Sequence, residues 1–111
     1  MPERSSKVFQ LETTVESPEE AKKIASALVE KRLAACVQTI GPIASTFRWE
    51  GRVQEAEEHL LLCKVPEARL EAATALIEEL HSYDVPEVLA FEVTHGSRSY
   101  LEWVAAETGG D

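Results

Sequence analysis

The sequence contains few of the residues on which most recognisable sites are built. It has two cysteines, Cys36 and Cys63, three histidines and one methionine among 111 residues. No Cys-x-x-Cys pair occurs, and no two histidines lie at helical spacing, so spacing alone indicates no dedicated metal site. Both cysteines lie inside apolar runs, where a thiol behaves as a small hydrophobic side chain. We therefore expect free thiols and no disulfide.

Basic side chains are also scarce. Eleven lysines and arginines stand against twenty carboxylates, which gives a formal net charge of −9. A phosphate-binding surface needs a basic footprint, so we expect no nucleic-acid partner. No apolar run approaches the roughly 20 residues of a membrane-spanning helix, and the N-terminal residues lack the apolar segment of a signal peptide. We expect a cytoplasmic protein that does not bind membranes.

The motifs of the common catalytic sites are missing as well. There is no Gly-x-x-x-x-Gly-Lys phosphate loop, and no Ser/His/Asp or Cys/His set has a recognisable local signature. A group containing Lys64, Tyr83 and Glu87 has the chemistry for proton transfer, but nothing in the sequence demands that role. We expect no enzymatic activity.

The chain instead shows a regular alternation of strand and helix patterns. Residues 8–15 are rich in β-branched and aromatic side chains and are typical of a strand. Ser17 and Pro18 then open a helix, with Glu20 completing a capping box. The apolar stripe of this helix consists of Ala21, Ile24, Ala25 and Leu28. Lys31 and Arg32 are expected in its last turn, where they complement the helix dipole.

Residues 33–65 form the most distinctive stretch of the chain. Two β-type runs meet at a Glu50-Gly51 corner, which predicts a hairpin. Its first arm, residues 34–49, would span about 50 Å. A compact domain of this length is about 34 Å across. The arm must therefore bend at Gly41-Pro42 or project, and a projecting apolar arm exposes strand edges that other subunits can cover.

The second half of the chain repeats the strand-helix alternation. Residues 54–59 are polar and predict a solvent-facing part of the hairpin, whereas Leu60, Leu61 and Leu62 predict a central strand covered on both sides. A second helix opens at Pro66-Glu67, with a weak cap at Val65. A loop follows, then a fourth strand at 88–93, and then a short helix capped by Ser97 and anchored by Tyr100 and Trp103.

The order β-α-β-β-α-β plus a C-terminal helix predicts an α+β fold of the ferredoxin-like, split βαβ type. The pattern favours a single domain over residues 1–111, with residues 1–6 and 109–111 frayed. Within this fold a set of polar and aromatic side chains lies near strand ends and the hairpin tip: Trp49, Lys64, His81, Tyr83, Glu87 and Trp103. Such a set can bind a ligand, or it can stabilise a loop and an interface between subunits. The residues alone do not distinguish these two roles.

A resemblance narrows these alternatives. The ordered segments are residues 33–37, Trp49-Glu50-Gly51, Lys64, residues 81–88, His95-Gly96 and residues 100–103. Together they resemble the CutA family of divalent-cation tolerance proteins. The likeness covers about residues 8–105, and the ordered set is specific although each piece alone is weak.

The resemblance implies a homotrimer of ferredoxin-like protomers, with long hairpins joining the sheets of different subunits, and a general likeness to the trimeric PII signalling proteins. It also implies that copper or another divalent metal binds, with His81 as the first candidate ligand. The family often has proline at the position of Ser82 and threonine at that of Val65. We expect these departures to loosen the loop and to weaken the cap of the second helix.

Two functions follow as hypotheses. The first is a homotrimeric divalent-cation tolerance protein that binds copper or another divalent metal through His81, with no organic cofactor. The alternative is a PII-like regulatory module. It would bind a small anionic ligand or a protein partner in an inter-subunit cleft formed by Trp49, Lys64, Tyr83, Glu87 and Trp103.

Overall fold

One antiparallel sheet carries the fold, and helices lie on both of its sides. The structure, a computed structural model, describes residues 7–109. In chain order the elements are β1 (Val8–Val15), α1 (Pro18–Glu30), β2 (Cys36–Trp49), β3 (Arg52–Pro66), α2 (Leu70–Leu80), β4 (Val88–Val93) and α3 (Arg98–Thr108). A 3₁₀ turn, Glu67–Arg69, precedes α2. The elements follow one another in the order that the sequence predicts.

The four strands are arranged in the order β2-β3-β1-β4, and each neighbouring pair is antiparallel. Leu11 in β1 pairs with Cys63 in β3 on one side and with Ala90 in β4 on the other. β3 and β1 are therefore the central strands, and β2 and β4 are the two edges.

The main core lies between the sheet and the helices α1 and α2. Odd-numbered residues of β1 and β3 point to this side, because side chains alternate along a strand. They pack against the buried stripes of the two helices. The fully buried members include Leu11, Val15, Ile24, Leu28, Leu61, Cys63, Val65 and Ile77. Burial of this kind stabilises a side chain of this size by about 1.5–3 kcal/mol.

The opposite face of the sheet is only partly covered. α3 packs over one end of it, where Val104 meets Val8 and Ala35. Beyond that end, apolar side chains remain open to solvent: Phe91 is 52% exposed and Leu89 is 49% exposed. Leu60 and Leu62 are half-buried on the same face. The prediction that residues 60–62 belong to a central strand is therefore confirmed, but the predicted cover on both sides is wrong within one chain, because Leu61 alone of the three leucines is fully buried.

The hairpin of β2 and β3 projects from the domain, as its length predicts. The molecule measures 52 × 25 × 21 Å, with a radius of gyration of 14.9 Å. The pairing runs out to Trp49 and Arg52, with one register shift between Ile40 and Ile43. Glu50 and Gly51 form the corner with φ values of 53° and 77°. Two such residues are typical of a type I′ turn, whose twist matches that of the strands.

The ends of α1 differ from the sequence prediction in two respects. The Ser17 hydroxyl accepts a hydrogen bond from the Glu20 amide at 3.1 Å, as predicted. The second hydrogen bond of the predicted capping box, from the Ser17 amide to the Glu20 carboxylate, does not form. The Glu20 carboxylate accepts hydrogen bonds from Ser82 instead. The helix ends at Glu30, so the predicted position of Lys31 and Arg32 in its last turn is wrong.

The later helices begin and pack somewhat differently from expectation. Pro66 ends β3, and α2 begins only at Leu70 without a side-chain cap, so the predicted start at Pro66 is wrong. Ser97 does cap α3, accepting from the Tyr100 amide at 3.4 Å. The buried contact of α3 comes from Val104 rather than from the predicted aromatic anchors, which are about two-fifths exposed.

The chain ends and the lengths of the helices bear on two further predictions. The predicted frayed ends fall mostly on residues 1–6 and 110–111, which lie outside the described residues, while Gly109 is the C-cap of α3. Among residues 7–109, none of the helices is long and apolar enough to cross a membrane.

Candidate functional site

The loop of residues 81–87, between α2 and β4, is fastened to the sheet by His81. The side chain of His81 is fully buried. Its Nε2 lies 2.8 Å from the carbonyl oxygen of Thr14, and its Nδ1 lies 3.2 Å from the amide nitrogen of Tyr83. A carbonyl oxygen only accepts and an amide N–H only donates. His81 is therefore neutral in this geometry, with the proton on Nε2 and the lone pair on Nδ1.

A carboxylate from α1 holds the next residue of the loop. The Ser82 amide donates to Glu20 Oε2 at 2.8 Å, and the Ser82 hydroxyl donates to Oε1 at 3.0 Å. Charge-assisted hydrogen bonds of this kind are about twice as strong as neutral ones. Proline at position 82 would have no N–H to donate to Glu20, so serine makes a contact here that proline could not make. The expectation that serine loosens the loop stays a prediction.

Tyr83 reaches from the loop to β3. Its hydroxyl donates to Glu58 Oε2 at 2.8 Å. Burial, together with this hydrogen bond and the negative charge of Glu58, raises the pKa of the Tyr83 hydroxyl far above its ordinary value of 10.0. The hydroxyl therefore stays protonated and remains a donor. Glu58 itself is only 7% exposed, so the prediction that residues 54–59 face water is wrong at this position, whereas Gln54, Glu55 and Glu57 are exposed as predicted.

Loop 81–87 and the hairpin enclose a cleft of about 660 Å³. Strand alternation explains its wall: Ser45, Phe47 and Trp49 lie on the same face of the hairpin as Glu58, because Ile43 pairs with Glu58 and the register continues to Trp49 and Arg52. The complete lining consists of Thr14, Ser45, Thr46, Phe47, Arg48, Trp49, Glu58, Tyr83, Asp84, Val85 and Glu87. Its volume is typical of small-molecule sites.

The cleft is acidic and aromatic. Three carboxylates line it, those of Glu58, Asp84 and Glu87, against the single guanidinium of Arg48. The rings of Phe47, Trp49 and Tyr83 form part of the same wall. An arrangement of this charge attracts cations and repels anions.

The cleft contains only part of the predicted ligand-binding set. Trp49, Tyr83 and Glu87 line it together. Lys64 lies six residues beyond Glu58 along β3, about 20 Å away, and its Nζ donates to Gln38 Oε1 at 2.9 Å. Trp103 is on α3, where it borders a separate depression with Arg32. Within one chain these last two residues therefore belong to other surfaces.

The residues that could hold a metal are dispersed. Among residues 7–109, no group of three or more histidine, cysteine, aspartate or glutamate side chains is arranged to hold an ion. His81 and Glu20 are two potential ligands that lie close together, with 3.7 Å between Nδ1 of His81 and Oε2 of Glu20. His59 lies on β3 beside Gly41, and His95 follows β4 in an exposed loop.

The two cysteines are free, as predicted, and lie on opposite faces of the sheet. Cys63 belongs to the main core, and burial raises the pKa of its thiol from 9.0 to about 12. Cys36 is half-buried on the other face, where its Sγ lies 3.2 Å from the hydroxyl of Tyr100. That hydrogen bond, together with burial, raises the pKa of Tyr100 to about 12.

Comparison with known proteins identifies the family. The family model described as "CutA1 divalent ion tolerance protein" matches residues 10–107. The chain belongs to this CutA1 family. A divalent-cation tolerance protein CutA from Thermus thermophilus is 44% identical over 96 residues, which cover 86% of this chain and 93% of that protein. The crystal structure of CutA1 from Oryza sativa has a TM-score of 0.91 and 37% identity, covering 96% of this chain and all of that one.

The relatives of this CutA1 chain differ in length. The chloroplastic CutA of Arabidopsis thaliana is 44% identical over 95 residues, which make up 86% of this chain but 52% of that protein. The chain thus spans about half the length of the plant relative. The resemblance that the sequence segments indicated is confirmed at the level of the family.

The sequence did not reveal two residues that shape the site of this CutA1 chain. Glu58 belongs to the acidic segment of residues 54–59, which predicts exposure to water. Glu20 occupies the capping position of α1, which predicts a contact with Ser17. Neither sequence pattern predicts the contact that the residue makes with loop 81–87. Both contacts are long-range, joining residues 25 and 62 positions apart. A signal was nevertheless present at Glu58, because strand alternation places it on the same face as Leu60 and Leu62.

Proposed function

We propose that this chain acts as a homotrimeric divalent-cation tolerance protein of ferredoxin-like fold that binds divalent metal, copper in the first place. The role is one of binding rather than catalysis, with no organic cofactor. A cytoplasmic location belongs to the proposal and can be tested by fractionation, since one relative is chloroplastic by name. Membership of the CutA1 family, whose description names divalent ion tolerance, carries the proposal.

The uncovered surfaces support the trimer. One face of the sheet exposes Ile40, Leu89 and Phe91, and the hairpin exposes Trp49 and Val53, the last at 65%. Single exposed hydrophobic residues are ordinary, but contiguous apolar surface on a sheet marks an interface. Both sheet edges, β2 and β4, also carry unpaired backbone groups along one side, which other copies can pair.

The environment of His81 fits a weak metal site. Its Nε2–H donates to the Thr14 carbonyl, and metal-ligating histidines commonly fix the other ring nitrogen in this way. The lone pair on Nδ1 accepts a hydrogen bond of 3.2 Å from the Tyr83 amide, and Nδ1 lies 3.7 Å from Glu20 Oε2. A metal ion would have to displace the Tyr83 amide to bind this nitrogen. Imidazole nitrogen with carboxylate oxygen suits Cu²⁺, which binds such ligands more tightly than its first-row neighbours.

The same residues limit the affinity. One imidazole and one carboxylate are fewer ligands than a closed transition-metal site provides. Water or another subunit would have to complete the coordination. The described residues of one chain therefore support weak to moderate binding rather than a dedicated high-affinity centre.

The charge of the cleft weighs against the alternative of an anionic ligand. Glu58, Asp84 and Glu87 outnumber Arg48 there, and Lys64 lies on another part of the sheet. A regulatory role through a protein partner does not depend on this charge. The cation-binding function is therefore the better supported of the two hypotheses.

Calorimetric titration of the tag-free protein with Cu²⁺, with Zn²⁺ in parallel and glycine as a weak competing chelator, tests the proposal. We expect one saturable copper site per subunit. His81→Gln should abolish it while keeping an amide that can donate to the Thr14 carbonyl. His95→Ala, a change at an exposed histidine, should leave it intact. Only non-saturating heat, or unchanged binding in folded His81→Gln, would refute the site.

A further inference from the structure

The backbone of loop 81–87 closes the ligand atoms at His81. The side chain of His81 is fully buried, so an ion cannot reach its ring from solvent in this conformation. Its Nδ1 accepts a hydrogen bond from the Tyr83 amide at 3.2 Å. The preceding amide, that of Ser82, donates to Glu20 Oε2 at 2.8 Å. Two consecutive amides of the loop therefore occupy the imidazole nitrogen and the carboxylate oxygen that lie together here.

These two acceptor atoms are close enough to share one ion. Nδ1 of His81 and Oε2 of Glu20 lie 3.7 Å apart. Zinc, for example, lies about 2.0–2.2 Å from an imidazole nitrogen or a carboxylate oxygen, so two such atoms up to about 4 Å apart can bind the same ion. The bond from Nε2 to the Thr14 carbonyl fixes the ring in this position. The ligands can stay in place, and the amides of Ser82 and Tyr83 are the groups that must leave.

Tyr83 connects these amides to the rest of the loop. Its amide binds His81, and its hydroxyl donates to Glu58 Oε2 at 2.8 Å. Tyr83 also lines the cleft, together with Asp84, Val85 and Glu87 of the same loop. Displacement of the Tyr83 amide therefore acts on the residue that holds the loop to β3.

We propose that loop 81–87 and a divalent metal compete for His81 and Glu20, so that metal binding releases the loop. The inference rests on the proposed function, because it concerns the regulation of the same site. The competing groups belong to α1, to the end of α2 and to the loop. They do not belong to the open sheet face or to the projecting hairpin, through which we propose that the copies associate.

Competition of this kind has a quantitative consequence. When only the open form binds a ligand, the apparent affinity falls by the fraction of molecules that are open. A substitution that weakens the hold on the loop should therefore tighten metal binding, even where the changed side chain is not a metal ligand. The coupling is reciprocal, so bound metal should loosen the loop.

Hydrogen exchange of the intact, tag-free protein, followed by mass spectrometry with and without Cu²⁺, measures the release of the loop. An ordinary metal site slows exchange around its ligands because it stabilises the folded state. We expect the opposite here, with the Ser82 and Tyr83 amides exchanging roughly tenfold faster or more in the copper-saturated protein. Copper should not accelerate exchange in His81→Gln, nor within α1 in the parent protein.

Tyr83→Phe tests the coupling without changing a ligand or an amide. It removes the hydroxyl that holds the loop to Glu58 and keeps the aromatic ring. Calorimetry should show copper binding that is roughly fivefold tighter or more, since a hydrogen bond to a charged group contributes at least that much. Tyr100→Phe removes a hydroxyl from α3 and should leave the copper affinity unchanged.

Ser82→Ala provides a second variant at a small, exposed side chain. It removes the bond from the hydroxyl to Glu20 Oε1 at 3.0 Å and keeps the amide. Copper binding should again become tighter, whereas Ser26→Ala, at an exposed position of α1, should not change it. Light scattering and thermal unfolding verify that each variant assembles and folds like the parent.

The outcomes separate this inference from the proposed function. Faster exchange at Ser82 and Tyr83 with copper, together with tighter binding in Tyr83→Phe, would support the competition. A saturable copper site that is lost in His81→Gln, but whose occupation leaves exchange in the loop unchanged or slower, would overturn the inference and leave the proposed function standing. Unchanged or weaker copper binding in folded Tyr83→Phe would overturn it as well. Absence of saturable copper binding in the parent protein would overturn both.

Discussion

The hydroxyl of Tyr83 lies 2.8 Å from the carboxylate of Glu58 and is its one hydrogen-bond donor among residues 7–109. This bond joins loop 81–87 to the base of the hairpin. It also holds one oxygen of Glu58, a residue that lines the cleft. The stability of the loop and the charge of the cleft therefore depend on the same pair.

Tyr83→Phe should lower the free energy of unfolding by about 1–3 kcal/mol, because it leaves a nearly buried carboxylate without its donor. Tyr100→Phe is the matched control, since Tyr100 is 40% exposed and binds only the Cys36 thiol. It should cost less than about 1 kcal/mol. Denaturant unfolding of the two variants measures both changes, and equal costs would contradict the special role of the Tyr83 pair.

Glu20→Ala should detach Ser82 from α1, because it removes the acceptor of the Ser82 amide and the nearer acceptor of its hydroxyl. The 3.5 Å contact of the hydroxyl with Glu16 is the one that remains among those of residues 7–109. We expect faster hydrogen exchange at the Ser82 amide and a loss of about 1–3 kcal/mol in stability. Glu19→Ala changes the same charge in the same helical turn at an exposed position, and it should alter stability by less than about 0.5 kcal/mol. Unchanged exchange at Ser82 in Glu20→Ala would show that the loop is held by other contacts.

Stability should fall at alkaline pH partly through Cys63. Burial raises the pKa of its thiol from 9.0 to about 12 in the folded protein. Between these values the folded chain keeps a proton that the unfolded chain has released, so stability declines as the pH rises. The protonated thiol makes its full contribution to stability below pH 9. The loss of that contribution grows as the pH rises and reaches at most about 4 kcal/mol by pH 12.

Unfolding measured from pH 8 to pH 11, with Cys63→Ala as the comparison, isolates this effect. The variant should show a shallower alkaline decline, although it is less stable at neutral pH because it loses core packing. Tyr100, whose pKa is raised to about 12, contributes equally to both proteins and cancels in the comparison. Parallel declines in the two proteins would argue against a titrating Cys63.

Much of the fold could be predicted because it depends on local patterns. The apolar stripe of α1 and the Glu50-Gly51 corner specify their elements without reference to the rest of the chain. The comparison of hairpin length with domain diameter then predicted the projecting arm. Helix starts and ends were less predictable, because α2 begins only after a 3₁₀ turn that lacks a capping side chain.

The site was harder to predict because long-range contacts create it. Polar patterning placed Glu58 in water, yet Tyr83 covers it from a loop 25 residues away. Glu20 has the sequence position of a capping residue, but Ser82 competes successfully for its carboxylate. Lys64 and Trp103 were grouped with Tyr83 by residue type, and distance along the sheet separates them within one chain.

Trp49→Ala should weaken association of the subunits by roughly tenfold or more, since a large aromatic side chain at an interface contributes several kcal/mol to binding. The helices of the chain should be unaffected, because Trp49 lies at the hairpin tip away from the main core. Sedimentation over a range of concentrations measures the association, and far-ultraviolet circular dichroism measures the helices. A loss of helix signal at unchanged association would contradict this assignment.

The homotrimer underlies the proposed function, and the molar mass in solution tests it most directly. Each chain has a mass of 12.3 kDa, so multi-angle light scattering should give three times that value, about 37 kDa. The measurement belongs at micromolar concentration and physiological salt, without a purification tag. A trimer mass would support the covering of the open sheet face and of the projecting hairpin by other copies. A monomer mass of about 12 kDa under these conditions would contradict the proposal.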